Sequence, residues 1–141
     1  MSDSPRRSPT VALLTLSRIA ELELARVLEP HALSLRKFDI LTRIGTVPGL
    51  STADLARRTG IDAAALAPML RSLQDAGLTR PADERGATVG ITPAGSRLLA
   101  TLAPQIASVD ARLFNEHDAD AATLANALLA ATAESIAEPV D

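Results

Sequence analysis

Residues 51–92 decide the fold, and they read STADLARRTGIDAAALAPMLRSLQDAGLTRPADERGATVGIT. The run 51–54 has the spacing of a capping box, with Asp in the place of Glu or Gln, and it predicts a helix over 52–59 that a glycine ends. Asp62 is placed to cap a second helix, which Gly77 ends. The segment therefore predicts two helices joined by a tight turn, which is the helix-turn-helix arrangement.

The pattern changes after this second helix. Residues 78–80 and 88–91 have the composition of two short strands, and the charged loop 82–86 lies between them. This predicts a β-hairpin directly after the helix-turn-helix, in the position of a wing. Thr92 followed by Pro93 then predicts a new helix, because a hydroxyl caps it and a proline occupies its first position.

Two helices are predicted before this segment. Residues 10–29 form a long helix that Pro30 ends, and its leucines, isoleucine and valine occupy more than one narrow stripe. So wide an apolar face needs cover on two sides, which a core and a second subunit would provide. Ser34 caps the next helix, and a turn from Gly45 to Gly49 follows it.

The C-terminal third is also helical. The helix that begins at Pro93 is expected to kink or split at Pro104, because proline lacks a main-chain donor, and to resume to about Phe114. Asp118 is expected to cap a last helix. The apolar residues of that helix are Leu124, Leu128, Leu129 and Ile136.

Composition excludes several classes of protein. The 141 residues suit one domain, and the chain has no cysteine, which removes thiol catalysis, disulfides and cysteine-ligated zinc. No signal peptide and no run of about eighteen apolar residues is present, which favours a soluble cytoplasmic protein without a membrane partner. His31 and His117 lack partners at a ligand spacing, so we expect no metal and no cofactor, and no catalytic motif indicates an enzyme.

Charge is unevenly distributed along the chain. The formal net charge is −3, but residues 1–50 hold seven basic and five acidic side chains, residues 51–92 hold five of each, and residues 93–141 hold two and seven. A segment with balanced charge can still present its arginines on one face. The acidic total therefore does not exclude binding to DNA.

From about Val11 to Ile136 the chain resembles the MarR family of winged helix-turn-helix transcriptional regulators. The most specific part is the wing pattern, which consists of Asp83-Glu84-Arg85, then Val89-Gly90-Ile91-Thr92, then Gly95. Two further runs match the family in the same order. They are Leu33-Ser34-Leu35 with Phe38-Asp39-Ile40-Leu41, and Leu55-Ala56 with Gly60-Ile61, Leu73 and Gly77-Leu78.

The resemblance implies a mainly α-helical homodimer joined by its first and last helices, with a small β-hairpin wing. It divides the chain into a disordered tail over 1–9, an N-terminal dimerisation helix over 10–33, a DNA-binding region over 34–92 and C-terminal dimerisation helices over 93–141. The implied function is a repressor of transcription that binds double-stranded DNA, with one helix of each subunit in the major groove and a wing near the minor groove. A small-molecule effector would relieve this binding.

The expected DNA contacts lie on the helix-turn-helix and the wing. Leu66, Met69, Leu70 and Leu73 share the core face of the second helix, so its opposite face and flanks would meet the bases. The residues expected to contact DNA are Ser51, Thr52, Arg57, Arg58, Ala63, Ala64, Ala67, Pro68, Arg71, Ser72, Arg80, Asp83 and Arg85.

These residues have different expected roles. Arg57, Arg58 and Arg80 would contact phosphates and Arg85 would enter the minor groove, whereas the alternative is surface arginines paired with nearby acids such as Asp54 or Glu84. Ser51 and Thr52 stand at a helix N-terminus, where they could hold a phosphate or act only as caps. In the family the wing aspartate steadies an arginine, so Asp83 would orient Arg71 or Arg85.

The second helix departs from the family. Ala65, Ala67 and Pro68 stand where the family usually has Ser, Thr and Arg, which leaves Arg71 and Ser72 as the strong polar groups. Two outcomes stay open. The protein reads a T-rich site by methyl contacts and shape, or it binds DNA poorly and acts through protein contacts, as an antagonist or heterodimer partner of a related regulator.

An effector site is expected by analogy with the family alone. It would lie between the dimerisation and DNA-binding regions. The residues expected to line it are Leu16, His31 and Phe38.

Overall fold

The computed structural model describes residues 8–85, 87–114, 126–128 and 130–131. Most of them are helical, which confirms the expected fold class, and a 3-10 turn over Glu29–His31 joins the first two helices. The α-helices are α1 Pro9–Leu28, α2 Leu35–Thr46, α3 Thr52–Thr59, α4 Ala63–Asp75 and α5 Pro93–Phe114, and the strands are β1 Leu50–Ser51, β2 Thr79–Pro81 and β3 Thr88–Ile91.

Local capping signals set the starts of the helices. The Ser34 hydroxyl accepts a hydrogen bond from the N–H of Lys37 at 3.3 Å, and Ser51 accepts one from Asp54 at 3.0 Å. The Asp62 carboxylate accepts one from the N–H of Ala65 at 2.9 Å. Each bond satisfies a donor that the first turn of a helix leaves without a partner. The three predicted starts are therefore confirmed.

The wing is a three-stranded antiparallel sheet in the order β1-β3-β2. The hairpin of β2 and β3 was predicted, but β1 was not. Leu50 pairs with Val89 in the central strand, and the N–H of Thr52 continues the contact by donating to the carbonyl of Ala87 at 3.0 Å. The start of α3 is thus joined directly to the wing.

One apolar core lies beneath these elements, and each of α1 to α5 contributes to it. On α4 the predicted core face is confirmed: Leu66, Leu70 and Leu73 are buried and Met69 packs against the core. The other fully buried side chains include Leu28, Ile40, Leu41, Leu55, Val89 and Leu102. The core holds α4 from one side and leaves its opposite face in solvent.

The root of the wing packs tightly on α5. The Thr92 hydroxyl donates to the carbonyl of Gly77 at 2.6 Å and accepts a hydrogen bond from the N–H of Gly95 at 3.1 Å. A Cβ atom at Gly95 would lie 2.2 Å from the carbonyl oxygen of Leu78, so only glycine allows this approach. The predicted helix start at Thr92 and Pro93 is confirmed.

Three details of the helices differ from the predictions. Gly45, expected in a turn, lies in α2, which continues to Thr46, and Pro30 lies in the 3-10 turn that follows the end of α1. Pro104 does not split its helix, because α5 runs without interruption through it. Leu102 and Val109, on either side of this proline, are both buried, and such packing keeps the two halves on one helix despite the missing donor.

Parts of both ends of the chain lie outside the described residues. Residues 1–7 of the expected tail lie outside the described residues, whereas Ser8 caps α1 and Pro9 begins it. Most of the expected last helix also lies outside them, including Asp118, Leu124, Leu129 and Ile136, although Leu128 is described as helical. In the described ranges, no helix combines the length and apolar character that a membrane span needs.

Large apolar side chains on α1 remain in contact with solvent. They are between 45% and 66% exposed, which is the behaviour expected of a helix with one face on a core and another without cover. These residues, here called the α1 apolar face, are Val11, Leu13, Leu14, Ile19 and Leu22.

Candidate nucleic-acid interface

The exposed face of α4 is mostly apolar. Ala63, Ala64, Pro68 and Arg71 are exposed, and α4 is a continuous helix through the proline. Arg71 carries the positive charge on this face, and the exposed Asp75 at the end of α4 carries a negative one. Direct base contacts from this face would therefore combine one guanidinium with methyl and methylene groups.

The flanks of α4 contact its neighbours. Ala67 is half-buried and lines a groove of about 270 Å³ beside Thr52 and Ala53 at the start of α3. On the other flank, the Lys37 ammonium of α2 donates to the Ser72 hydroxyl at 2.7 Å. Lys37 was not among the predicted contacts, because a contact between residues 35 positions apart has no local signal.

The N-terminus of α3 is largely engaged within the protein. The Ser51 hydroxyl is the cap of α3, and the N–H of Thr52 is bonded to the carbonyl of Ala87. Ser51 is therefore observed as a helix cap, and a phosphate contact by either residue stays a prediction. A phosphate contact at this end would require the Thr52 hydroxyl or the N–H groups that follow it.

The two arginines of α3 differ in their partners. Both are exposed, but Arg57 forms an ion pair with Asp54, which was the structural alternative for this residue. Arg58 forms no ion pair with any described residue. Arg58 therefore presents an uncompensated positive charge, whereas the charge of Arg57 is partly offset.

The wing carries two exposed arginines, Arg80 and Arg85. The expected pairing of Asp83 with Arg71 or Arg85 does not occur among the described residues, since its carboxylate accepts the N–H of Ala87 at 2.9 Å. That bond closes the wing loop across its charged segment, so Asp83 shapes the loop rather than orienting an arginine. Neither wing arginine forms an ion pair within the described ranges.

Four exposed arginines without an acidic partner among the described residues thus lie on α3, α4 and the wing, namely Arg58, Arg71, Arg80 and Arg85. These three elements follow one another in the chain and are joined by direct hydrogen bonds and packing. Arginines that no carboxylate neutralises are suited to phosphate oxygens, which accept from the guanidinium at two points.

The three residues expected at an effector site lie on three different elements. Leu16 lies on α1, His31 in the 3-10 turn and Phe38 on α2, and all three are half-buried. Only Phe38 of the three lines the groove of about 320 Å³ between α2 and α5. The other lining residues of this α2–α5 groove are Thr42, Leu99, Ala103, Ile106, Ala107 and Asp110.

The α2–α5 groove is mainly apolar with polar groups at two places. The Thr42 hydroxyl is buried and has no hydrogen-bond partner among the described residues, and Asp110 is exposed. A groove of this size and lining suits a small molecule with an apolar body.

Comparison with known proteins places this geometry in a family. The MarR family model matches residues 33–84, from the start of α2 to the wing loop. The HTH-type transcriptional repressor Rv2887 of Mycobacterium tuberculosis is 31% identical over 105 residues, covering 72% of this chain and 76% of that protein.

Two solved structures of that mycobacterial protein have the same fold. Its complex with DNA superimposes with a TM-score of 0.73 at 25% identity, covering 93% of this chain and 98% of that one. Its complex with p-aminosalicylic acid gives 0.68 at 27% identity, covering 86% and 95%. From its sequence and from its winged helix-turn-helix fold, the chain belongs to the MarR family.

Proposed function

We propose that this protein is a DNA-binding regulator of transcription, a dimeric repressor that acts in the cytoplasm and catalyses no reaction. The observation that carries the proposal is the set of exposed arginines on α3, α4 and the wing that have no acidic partner in the described part of the chain. The helix α4 would enter the major groove and the wing would reach the adjacent minor groove. A related repressor has been solved on DNA with the same fold.

The α1 apolar face supports the dimer. Its side chains are too exposed and too numerous for a surface that stays in water. A second copy would cover them and bring two α4 helices to one side of the assembly. Two such helices reach successive major grooves when they lie about 34 Å apart.

The α2–α5 groove supports regulation by a small molecule. It adjoins α2, which touches α4 through Lys37, and it adjoins α5, which holds the root of the wing. A molecule could bind more tightly to dimers whose two α4 helices have a spacing that does not fit DNA. It would shift the population toward those dimers and weaken DNA binding. The related repressor in complex with p-aminosalicylic acid supports an aromatic effector.

Fluorescence anisotropy of selected genomic fragments at two salt concentrations tests the proposal. We expect a saturable complex whose affinity falls steeply with salt, because arginines displace counterions from the phosphates. An unbiased selection of bound duplexes from a random pool would give the operator. A protein that yields no saturable, salt-sensitive complex in either assay is not a DNA-binding regulator.

A second function is favoured by the apolar face of α4. With Ala63, Ala64 and Pro68 exposed and a net charge of −3, the fold could act through protein contacts with a related regulator. Arg85→Ala separates the two functions. The change would impair a DNA-binding repressor, whereas a heterodimer partner would keep its activity.

A further inference from the structure

Lys37 stands in an electrostatically unfavourable place. It is the third residue of α2, and its N–H is the donor to the cap residue Ser34. The first turn of a helix carries the positive end of the helix dipole, so a lysine there is repelled. The side chain is nevertheless half-buried rather than extended into water.

The Lys37 ammonium has a neutral partner only. It donates to the Ser72 hydroxyl at 2.7 Å, and it forms no ion pair with any described residue. An ammonium has three donors, so this bond leaves two of them for another acceptor. A half-buried cation without an acidic partner is a site to which an anion is attracted.

Ser72 provides a further donor at the same point. Because its oxygen accepts from Lys37, its hydroxyl proton must point elsewhere. Other hydroxyls of the chain bond the carbonyl four residues back, as Thr101 does to Arg97 at 2.9 Å, but Ser72 makes no such bond among the described residues.

We propose that Lys37 and Ser72 form a phosphate-binding seam where α2 meets α4, and that its ligand is a phosphodiester of duplex DNA. The proposal rests on the DNA-binding function proposed above and adds α2 to the surface that holds the duplex. A helix in the major groove has the phosphate backbone on both sides, and the seam lies along the flank of α4. A contact between the seam and a phosphate would fix the position of α4 along the duplex without reading the base sequence.

The salt dependence of binding tests the seam. Lys37→Met keeps the length of the side chain and removes the charge, so log Kobs against log salt should lose about 0.9 of slope per subunit. Affinity should fall about tenfold per subunit on specific and non-specific duplexes alike. Lys37→Arg should retain the slope, and Arg18→Gln is the control, because it removes one positive charge from α1.

A neutral backbone linkage locates the phosphate. Wild-type protein should lose affinity for an operator that has a methylphosphonate at one position flanking the bases under α4. Lys37→Met should be insensitive to the same linkage, because the variant and the DNA change remove one shared contact. If Lys37→Met does not fold, Ser72→Ala replaces it in this experiment. The affinity losses caused by Ser72→Ala and by the neutral linkage should then not add.

Separate results contradict the two proposals. If the wild-type protein forms no saturable complex with DNA, both DNA binding and the seam are contradicted. If the wild-type protein binds DNA but folded Lys37→Met keeps the wild-type slope of log Kobs against log salt, only the seam is contradicted. The seam is also contradicted if the affinity losses caused by Lys37→Met and by every flanking methylphosphonate add up, because Lys37 would then only support α4 from within the protein.

Discussion

The exposed face of α4 and the wing differ in the chemistry that they offer to DNA. On α4 the exposed residues are alanines, a proline, Arg71 and Asp75, whereas Arg80 and Arg85 of the wing are exposed without an acidic partner among the described residues. Guanidinium groups bind the phosphate backbone and narrow minor grooves of DNA, whereas methyl groups contact thymine in the major groove. We therefore expect affinity and sequence preference to be divided unequally between the two elements.

The largest expected effect comes from separating the wing from α5. Gly95→Ala would place a Cβ atom 2.2 Å from the Leu78 carbonyl oxygen, so the free energy of unfolding should fall by about 3 kcal/mol. Thermal and urea unfolding measure this. Gly90→Ala in β3 is the control, because its Cβ would meet nothing nearer than 3.7 Å, and a similar loss in both variants would contradict the account.

Arg85→Ala should have the next largest effect, on DNA affinity rather than on stability. Loss of a guanidinium from the minor groove should weaken binding by about 1–3 kcal/mol per subunit. Anisotropy titration of one operator measures the change. Glu84→Ala is the neighbouring control and should not weaken binding, and an unchanged affinity for Arg85→Ala would favour the protein-contact function.

Thymine methyl groups test the α4 side of the comparison. Replacing one thymine under Ala63 and Ala67 by uracil removes one methyl group, and we expect affinity to fall about fourfold for each methyl group that is removed. A thymine outside the α4 footprint provides the control. Equal reductions at both positions would show that DNA shape, and not the methyl packing against α4, explains the preference.

Arg57→Gln should have the smallest effect. Its charge is already offset by Asp54, so we expect less than about 0.5 kcal/mol change in stability. Its reduction of the salt slope should be clearly smaller than that of Arg58→Gln, because Arg58 has no ion pair among the described residues. Equal slopes for the two variants would mean that Asp54 releases Arg57 when DNA binds.

Local signals made most of the fold predictable. A capping residue and the glycine or proline near it define each helix start within a few positions, as at Ser34, Ser51 and Asp62. The family pattern of the wing added the order of the later elements. The expected split of the helix at Pro104 does not occur, because buried residues on both sides of it outweigh one missing donor.

Non-local contacts explain what the sequence did not predict. The strand β1 has two residues, and only its pairing with β3 makes it a strand. The bond from Lys37 to Ser72 joins residues 35 positions apart. For the arginines the residue types were evident, but whether Asp54 pairs with Arg57 or Asp83 with Arg85 depends on side-chain geometry that no spacing determines.

The pairing of β1 with β3 has a consequence for the shape of DNA that fits this protein. It ties the first residue of α3 to the strand that follows the wing loop, so these two points keep one distance when the rest of the subunit tilts. We therefore expect α3 and the wing to contact the phosphate backbone at two points that lie a fixed distance apart. Duplexes whose minor groove is too wide or too narrow at that position must bend before they bind, and the energy of that bending distinguishes operators that share every contacted base.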